Sequence, residues 1–491
     1  MTNFNVPGVF VQEGTVGATP AILNSFEAVY VFGTSDNEDA PKDTPVFVDS
    51  LDSFTNVFGS SGSASAIKLF FDQRSGYPLR FINVSGRFER TLEVAPTLPV
   101  GTVYTINIDG YAISHTKVEG ETDAQILAAI GVKINTQIPL IASYYPGIVR
   151  YNPGLTVTVN SNLTLGAEDE PELLKPEDVI DSAKRAIEPR SPQGYLCAPE
   201  FYNEFDSAEH SQLFNAFEAL ASDPEFLMVH VGDCSGAVST LTSGGGAINA
   251  AIAERANLFS TRGHSWYYFP HVINLQGVSV PPSLAVIGVA LRRTRAEGVG
   301  QPSAGKSYPI YGVSGTTFKV DAIIQGQLNP LGINAIRKLP RSNEIVVYGA
   351  RTLATDLFYR FGSHRVVLNI LATSLRDAYD EFIFNLVDGQ GALFSRIKQT
   401  AANLCEILRL NGLLFGATGA DAYKVIADLT NNNLDALDAG EVNVDVIVKL
   451  SPVLEVLVVK LSRSSLGAVL AEVQASGNIQ PIATNSPSPV T

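Results

Sequence analysis

"LAVIGVALRRTRAEGVGQPSAGKSYPI", residues 284–310, contains a complete match to the phosphate-binding pattern G-x-x-x-x-G-K-[ST], running from Gly300 to Ser307. Its reading decides between a nucleotide-binding enzyme and a different kind of protein. The pattern works when a buried strand delivers a Gly-rich turn whose N–H groups cradle phosphate oxygens, with a helix starting directly after it. Here the apolar run Leu284–Leu291 ends well before Gly300, and Arg292-Arg293-Thr294-Arg295-Ala296-Glu297 intervenes. No strand feeds the turn. Downstream, Ser307 is followed by Tyr308-Pro309, and residues 310–315 carry no helical period. The flanks predict a Pro/Gly-rich surface loop in which Lys306 is a surface lysine; a P-loop enzyme built on residues 300–307 is the alternative.

Composition limits the other choices. A chain of 491 residues is long enough for two to four domains, and 45% hydrophobic content allows large cores. Only 17% of residues are charged, which suits a surface that meets other protein. The net charge of −15 repels nucleic acid and anionic membranes, so no direct nucleic-acid partner is expected. Cys197, Cys234 and Cys405 form no C-x-x-C pair, which argues against a zinc site or a disulfide framework and for a reducing compartment. Residues 1–20 lack the pattern of a secretory signal, and the most apolar runs fall short of the ~20 residues of a membrane helix. A soluble protein made in a cytoplasm is expected, without membrane insertion.

Catalytic patterns are also missing. None of the six histidines pairs with a second ligand at i+2 or i+4, and there is no H-E-x-x-H or G-x-S-x-G motif. His230, near Asp233 and Cys234, falls within a strand beside a turn and reads as a structural histidine. No catalytic residue, metal ligand or cofactor site is predicted.

Periodicity gives the organisation. Ala28–Thr34 reads as a buried strand, Leu51–Phe58 as a helix capped by Ser50 and stopped by Gly59, and Leu79–Val84 as a strand. From residue 91 the texture turns β-rich, with a hairpin turn at Asp109-Gly110 and a helix at Ala124–Ile134, ending in the acidic stretch 167–172. The α/β pattern then returns, with strands at Phe226–Val231, Trp266–Phe269 and Ile345–Tyr348 and helices at Ala247–Leu258, Val366–Asp380 and Leu393–Leu414. Val442–Val448 and Val453–Leu461 read as final strands. The expected fold class is α+β multi-domain. An α/β core is assembled from residues 23–90, 190–340 and 341–450, a β-rich domain is inserted at 91–170, and terminal segments occupy 1–22 and 451–491.

Several motifs then fall in a recognisable order: "VPGVFVQE", "FTNVFG" with "LFFDQRSG", "VPPSLAVIGVALRRTRAEGVGQPSAG", "LNPLGINAIR", "IVVYGARTL" and "LRLNGLLFG". Over residues 1–90 and 190 to about 460 the chain resembles contractile tail sheath proteins. That family forms the contracting outer cylinder of long-tailed bacteriophages and related injection machines. Residues 91–170 resemble the variable domains this family carries on the outside of the cylinder. The chain departs at Gly300, where the family usually has Trp, at Leu284, where Gly is common, and in lacking an acidic residue just upstream of Gly300. Gly300 is what completes the phosphate pattern.

The resemblance implies a structural subunit and not an enzyme. Its copies would stack as hexameric rings around an inner tail tube protein, meet baseplate and tail terminator proteins, and belong to a virion assembled in a bacterial cytoplasm. It also implies terminal arms that add strands to neighbouring subunits' sheets. The arm candidates are Val6, Val9, Phe10 and Val11 at the front and Val453, Val456, Val458 and Leu461 at the back. The competing reading is that both strands complete a local sheet. Arg396 and Lys398 are the candidates for facing the tube, with a solvated helix face as the alternative.

Overall fold

Six consecutive buried residues, AVYVFG, form the strand Ala28–Gly33. The computed structural model describes residues 22–95, 98–138, 142–151, 155–168, 174–241 and 244–459. In it this strand lies inside an eight-stranded sheet. A strand covered on both faces requires such a continuous apolar run. Val29 and Val31 point into one core, and Ala28, Tyr30 and Phe32 into the other.

The spatial order is Ile345–Val347, Ile333–Lys338, Ser265–Phe269, Val229–Asp233, Gly194–Cys197, Ala28–Gly33, Leu79–Asn83, Val46–Val48. The six inner strands run parallel, and the two edge strands pair antiparallel to them. The chain winds outward from Ala28–Gly33 to Leu79–Asn83 and then returns to the other side at Gly194–Cys197. The sheet is therefore doubly wound, with its switch point between Ala28–Gly33 and Gly194–Cys197. Helices cover both faces.

Local chemistry explains the element ends. Ser50 accepts a hydrogen bond from Ser53 N and Gly59, at φ 75°, ends the Leu51–Phe58 helix, both as the sequence predicts. The apolar run Leu284–Leu291 is the buried half of a helix, Ser283–Glu297. Every residue from Ser283 to Leu291 is buried, so no polar face marks a helical period there. The strand expected at Phe226–Val231 instead spans Val229–Asp233. The N–H groups of Phe226 and Leu227 both turn back to Asp223 O, and this turn delays the ladder.

Residues 88–165 have a core of their own, built from Tyr104, Ile106, Ile108, Ile126, Ile130 and Ile134 among others. A four-stranded and a three-stranded antiparallel sheet pack there with the helix Asp123–Gln137. Asp109 and Gly110, at φ 49° and 88°, form the tight turn the sequence predicts. The region is tied to the helix Pro176–Ala186 through buried charges: Arg150 Nη2 lies 3.0 Å from Asp178 Oδ2, and Arg87 pairs with Asp181.

The chain divides into two units, one ending at Ser451 and one starting at Pro452. At the C-terminal end of the first, the helices Gly362–Tyr379 and Ala392–Leu410 support a two-stranded sheet of Tyr423–Ile426 and Asp445–Val448. The strand expected at Val453–Leu461 is not formed over 453–459, and residues 460 and 461 lie outside those described.

Candidate assembly surface

Doubly wound sheets take ligands in the crevice at the carboxyl ends of the strands flanking the switch point. Here that crevice is filled from within. Glu200 lies just past the strand Gly194–Cys197 and its carboxylate accepts from Thr34 N at 3.1 Å, from Thr34 Oγ1 and from Ser63 Oγ. A Cβ on Gly33 would sit 2.7 Å from Glu200 Oε2, and one on Gly62 would sit 2.9 Å from its Cδ. Both glycines make room for this side chain. A buried carboxylate in this position repels the phosphate groups such crevices usually bind.

The Gly300–Ser307 stretch has the reverse of a phosphate cradle's context: the helix Ser283–Glu297 precedes it, and no helix follows. Gly305 N donates to Val347 O, while Arg293 Nη1 donates to the carbonyls of Pro302 and Ala304 at 2.7 and 3.1 Å. The loop turns carbonyls inward and spends an N–H on the sheet edge. Gly300 has φ 80°, and a Cβ there would come within 2.8 Å of Val367 and 2.9 Å of Leu413, which accounts for glycine at this point. The P-loop alternative has no geometric support. Lys306→Ala is expected to change the melting temperature by less than about 1 °C and to leave assembly indifferent to ATP; an ATP-dependent defect in electron micrographs would revive the enzyme reading.

The other chemical candidate is equally occupied. His230 is buried, with Nε2 against Tyr202 Oη and Nδ1 2.9 Å from Ser265 Oγ. Burial raises the Cys234 thiol well above its ordinary range, so no thiolate is available. Among the described residues no group of three or more His, Cys, Asp or Glu side chains could hold a metal ion. No helix among them is long and apolar enough to cross a membrane.

The same buried groups set a pH dependence. Asp233 accepts from Ser283 N at 2.7 Å, and burial pushes its carboxyl up to about 8. Burial pushes Glu218 up to about 7 and holds His264 and His271 down at about 4. Acids with raised folded values lose stability as pH climbs from their unfolded to their folded values. Histidines buried neutral gain stability over the climb to about 6.5. The two sets oppose each other below about pH 6.5, and above it only the carboxyls act. Stability should therefore fall between about pH 6.5 and 8, by about 2 kcal/mol from Asp233 alone, at about 1.4 kcal/mol per unit. Melts across that range should show a flatter slope for Asp233→Asn, which keeps the acceptor for Ser283 N. An unchanged slope contradicts the assignment.

What the C-terminal region presents is backbone edge and apolar surface. Tyr423–Ile426 and Asp445–Val448 pair with each other and with no other strand among the described residues, and Leu414 forms a single bridge to Leu450 just beyond them. Burial alternates strictly from Glu441 to Leu450: Val442, Val444, Val446, Val448 and Leu450 face inward, while Asp445, Ile447 and Lys449 face out. Val446, Val448 and Leu450 pack in the cluster of Leu404, Cys405 and Leu408 of the Ala392–Leu410 helix, and Val442 and Val444 in that of Leu393, Phe394 and Ile397 of the same helix. A two-stranded sheet is marginal alone, and this one depends on that helix. Residues Leu454 and Val456–Val459 are all exposed.

No protein-family model and no curated protein matches the sequence. Solved structures do. The sheath complex of an extracellular contractile injection system, PVC, in its contracted state matches 94% of this chain and 99% of its own, with a TM-score of 0.58 and 17% identity. The contracted helical sheath of the anti-feeding prophage (AFP) matches 94% of this chain and 100% of its own, with a TM-score of 0.55 and 18% identity. A chain of the contracted AFP baseplate gives 94% and 99%, with a TM-score of 0.57 and 14% identity. The chain has the fold of contractile sheath proteins.

Within this sheath fold the sequence-derived site residues fare unevenly. Val6, Val9, Phe10, Val11 and Leu461 lie outside the described residues. Val456 and Val458 are exposed and Val453 is half-buried, all three without strand structure. Arg396 is exposed but lies over the Phe382 ring at 5.0 Å, and Lys398 pairs with Asp428 at 2.6 Å. Both cations thus have partners within the subunit. This two-stranded sheet was visible in sequence only as one alternating strand, because its partner Tyr423–Ile426 sets Val425 and Ile426 side by side and does not alternate.

Proposed function

We propose that this chain is the structural subunit of a contractile tail sheath. It polymerises as hexameric rings around an inner tube and contracts to drive that tube through a target envelope. The observation that carries this reading is the match, over 94% of the chain, to the sheath of a contractile injection system. The filled switch-point crevice favours a scaffold over an enzyme.

Coupling between subunits follows from the open edges. An unpaired edge is a liability in a monomer and a linkage in a polymer. The sheet of Tyr423–Ile426 and Asp445–Val448 is the receiver, with one edge on each side for a strand from a neighbour. The front arm around Val6–Val11 and the back arm around Val453–Leu461 are the donors. Contraction needs no nucleotide in the sheath. The extended lattice is a trapped state, and release lets subunits reach a denser packing whose greater burial moves the tube. Residues 91–170 lie on the outside of the cylinder. Assembly takes place in a bacterial cytoplasm, with baseplate and terminator proteins at the cylinder's ends.

Electron micrographs of the purified full chain, alone and with its tube protein, test this. Hollow helical cylinders support the reading. A monodisperse monomer that binds ATP overturns it.

A further inference from the structure

The helix Gly362–Tyr379 carries two surfaces of opposite character at its two ends. At its C-terminal end the chain turns through Asp380–Phe382 into the segment Ile383–Val387. Phe384 there is fully exposed, at 101% of its reference area, and is held at φ 67°. Leu386 and Ile383 stand out beside it, at 91% and 60%. A non-glycine residue in the left-handed region with its whole ring in water is costly twice over, and such features mark contact sites. The flanking carboxylates are Asp377, Asp380, Glu381 and Asp388, and the cations among them are Arg190, Arg376 and Arg396, the last over the Phe382 ring, so the acidic character rests on Glu381. Asp380 bridges to Arg190, Asp377 lies 3.7 Å from Arg376, and Asp388 caps the Ala392–Leu410 helix.

At the N-terminal end, two loops meet. Thr352 N donates to Arg360 O, a Cβ on Gly263 would lie 2.7 Å from Tyr359 O, and Arg365 Nη1 donates to Arg262 O. Together they present Phe358 at 82% exposure, with Leu357 and Phe259 also exposed. The charges beside these side chains are Arg262 and Arg360, with Asp356 capping the Leu357–Tyr359 turn. The helix dipole adds its positive end here and its negative end at the knob, reinforcing both signs.

We propose that the acidic, apolar knob Ile383–Leu386 of one copy seats on the basic, apolar patch of Phe358, Arg262 and Arg360 of the next. The occupant is a second copy of this chain. The two surfaces match in charge and in apolar character, yet 18 helical residues hold them about 27 Å apart, so a single chain cannot close the contact on itself. Different patches meeting head to tail generate a ring where the rotation closes and an open helical series where it does not, and stacked rings in a helical cylinder use both. The contact is separate from the strand-adding arms and rests on the sheath reading only in requiring that copies polymerise.

Cysteine cross-linking tests it on the full chain, whose three native cysteines are all buried. Cylinders of the double variant Phe358→Cys/Phe384→Cys, oxidised after assembly, should run as a ladder of dimers, trimers and larger species on a non-reducing gel. Each single variant should stay monomeric. Normal cylinders without a ladder overturn the contact and leave the sheath reading standing; Phe384→Cys cross-linking to itself overturns it as well. If the double variant does not assemble, charge reversal decides. Arg262→Glu/Arg360→Glu should keep the circular dichroism of the folded chain and lose cylinders at least tenfold, and adding Glu381→Arg should restore them. Loss without restoration, or no loss at all, contradicts the pairing.

Discussion

A chain ending at Ser451 is expected to stay folded and to form no cylinders. Among the described residues, none of the five apolar cores uses a residue beyond Leu450, so the melting temperature should fall by less than about 2 °C. What is removed is the back arm with Leu454, Val456, Leu457, Val458 and Val459, all exposed. Each ladder hydrogen bond contributes a net ~0.5–1.5 kcal/mol, so about half a dozen per arm come to a few kcal/mol. A loss of about 4 kcal/mol per junction raises the concentration needed for assembly about a thousandfold. Sedimentation and micrographs at matched concentration check this. Cylinders forming at the wild-type threshold would show that the arm is not a junction. Deleting residues 1–12 should act in the same direction.

The second large effect is expected at Asp178, where the β-rich region meets the main sheet's helices. Asp178 is fully buried at the start of the Pro176–Ala186 helix. Its carboxylate accepts from Lys175 N at 2.8 Å, from Arg87 N at 3.2 Å and from Arg150 Nη2 at 3.0 Å. Arg150 belongs to the strand Ile148–Tyr151 of the β-rich region, so this bond joins two cores. Asp178→Ala leaves the N–H groups of Lys175 and Arg87 without their acceptor and Arg150 with Glu89 as an ion partner at 2.8 Å, at a cost of about 2–4 kcal/mol. Asp178→Asn, keeping one acceptor oxygen, should cost less. Adding Arg150→Ala to Asp178→Ala should cost less than the sum of the two single changes, since both remove the same contact. Urea unfolding measures all four variants, Arg150→Ala alone included, and a loss below about 1 kcal/mol for Asp178→Ala would mean the pair is not a junction.

The legible part of the fold was that set by local chemistry. Ser50 and Gly59 bound a helix, Asp109-Gly110 makes a hairpin, and alternation runs through Val442–Val448. These signals need only neighbours within a few residues. Elements buried on all sides were harder to read. Gly194–Cys197 is a central strand only four residues long, and the first nine residues of Ser283–Glu297 show no polar face. Contacts between distant segments were invisible. Lys398 reads as a free charge until Asp428, thirty residues on, folds against it at 2.6 Å. Glu200 fills the switch point through Thr34, 166 residues away, a relation no spacing encodes. The phosphate-pattern match was decided correctly by its flanks, because strand and helix context is itself a local signal.

The most direct test is a cryo-electron reconstruction of the cylinders formed by the full chain. The account predicts strands from two neighbouring subunits paired on either side of Tyr423–Ile426 and Asp445–Val448, making one four-stranded sheet at every junction. Cylinders whose subunits meet with both edges of that sheet left open would contradict it.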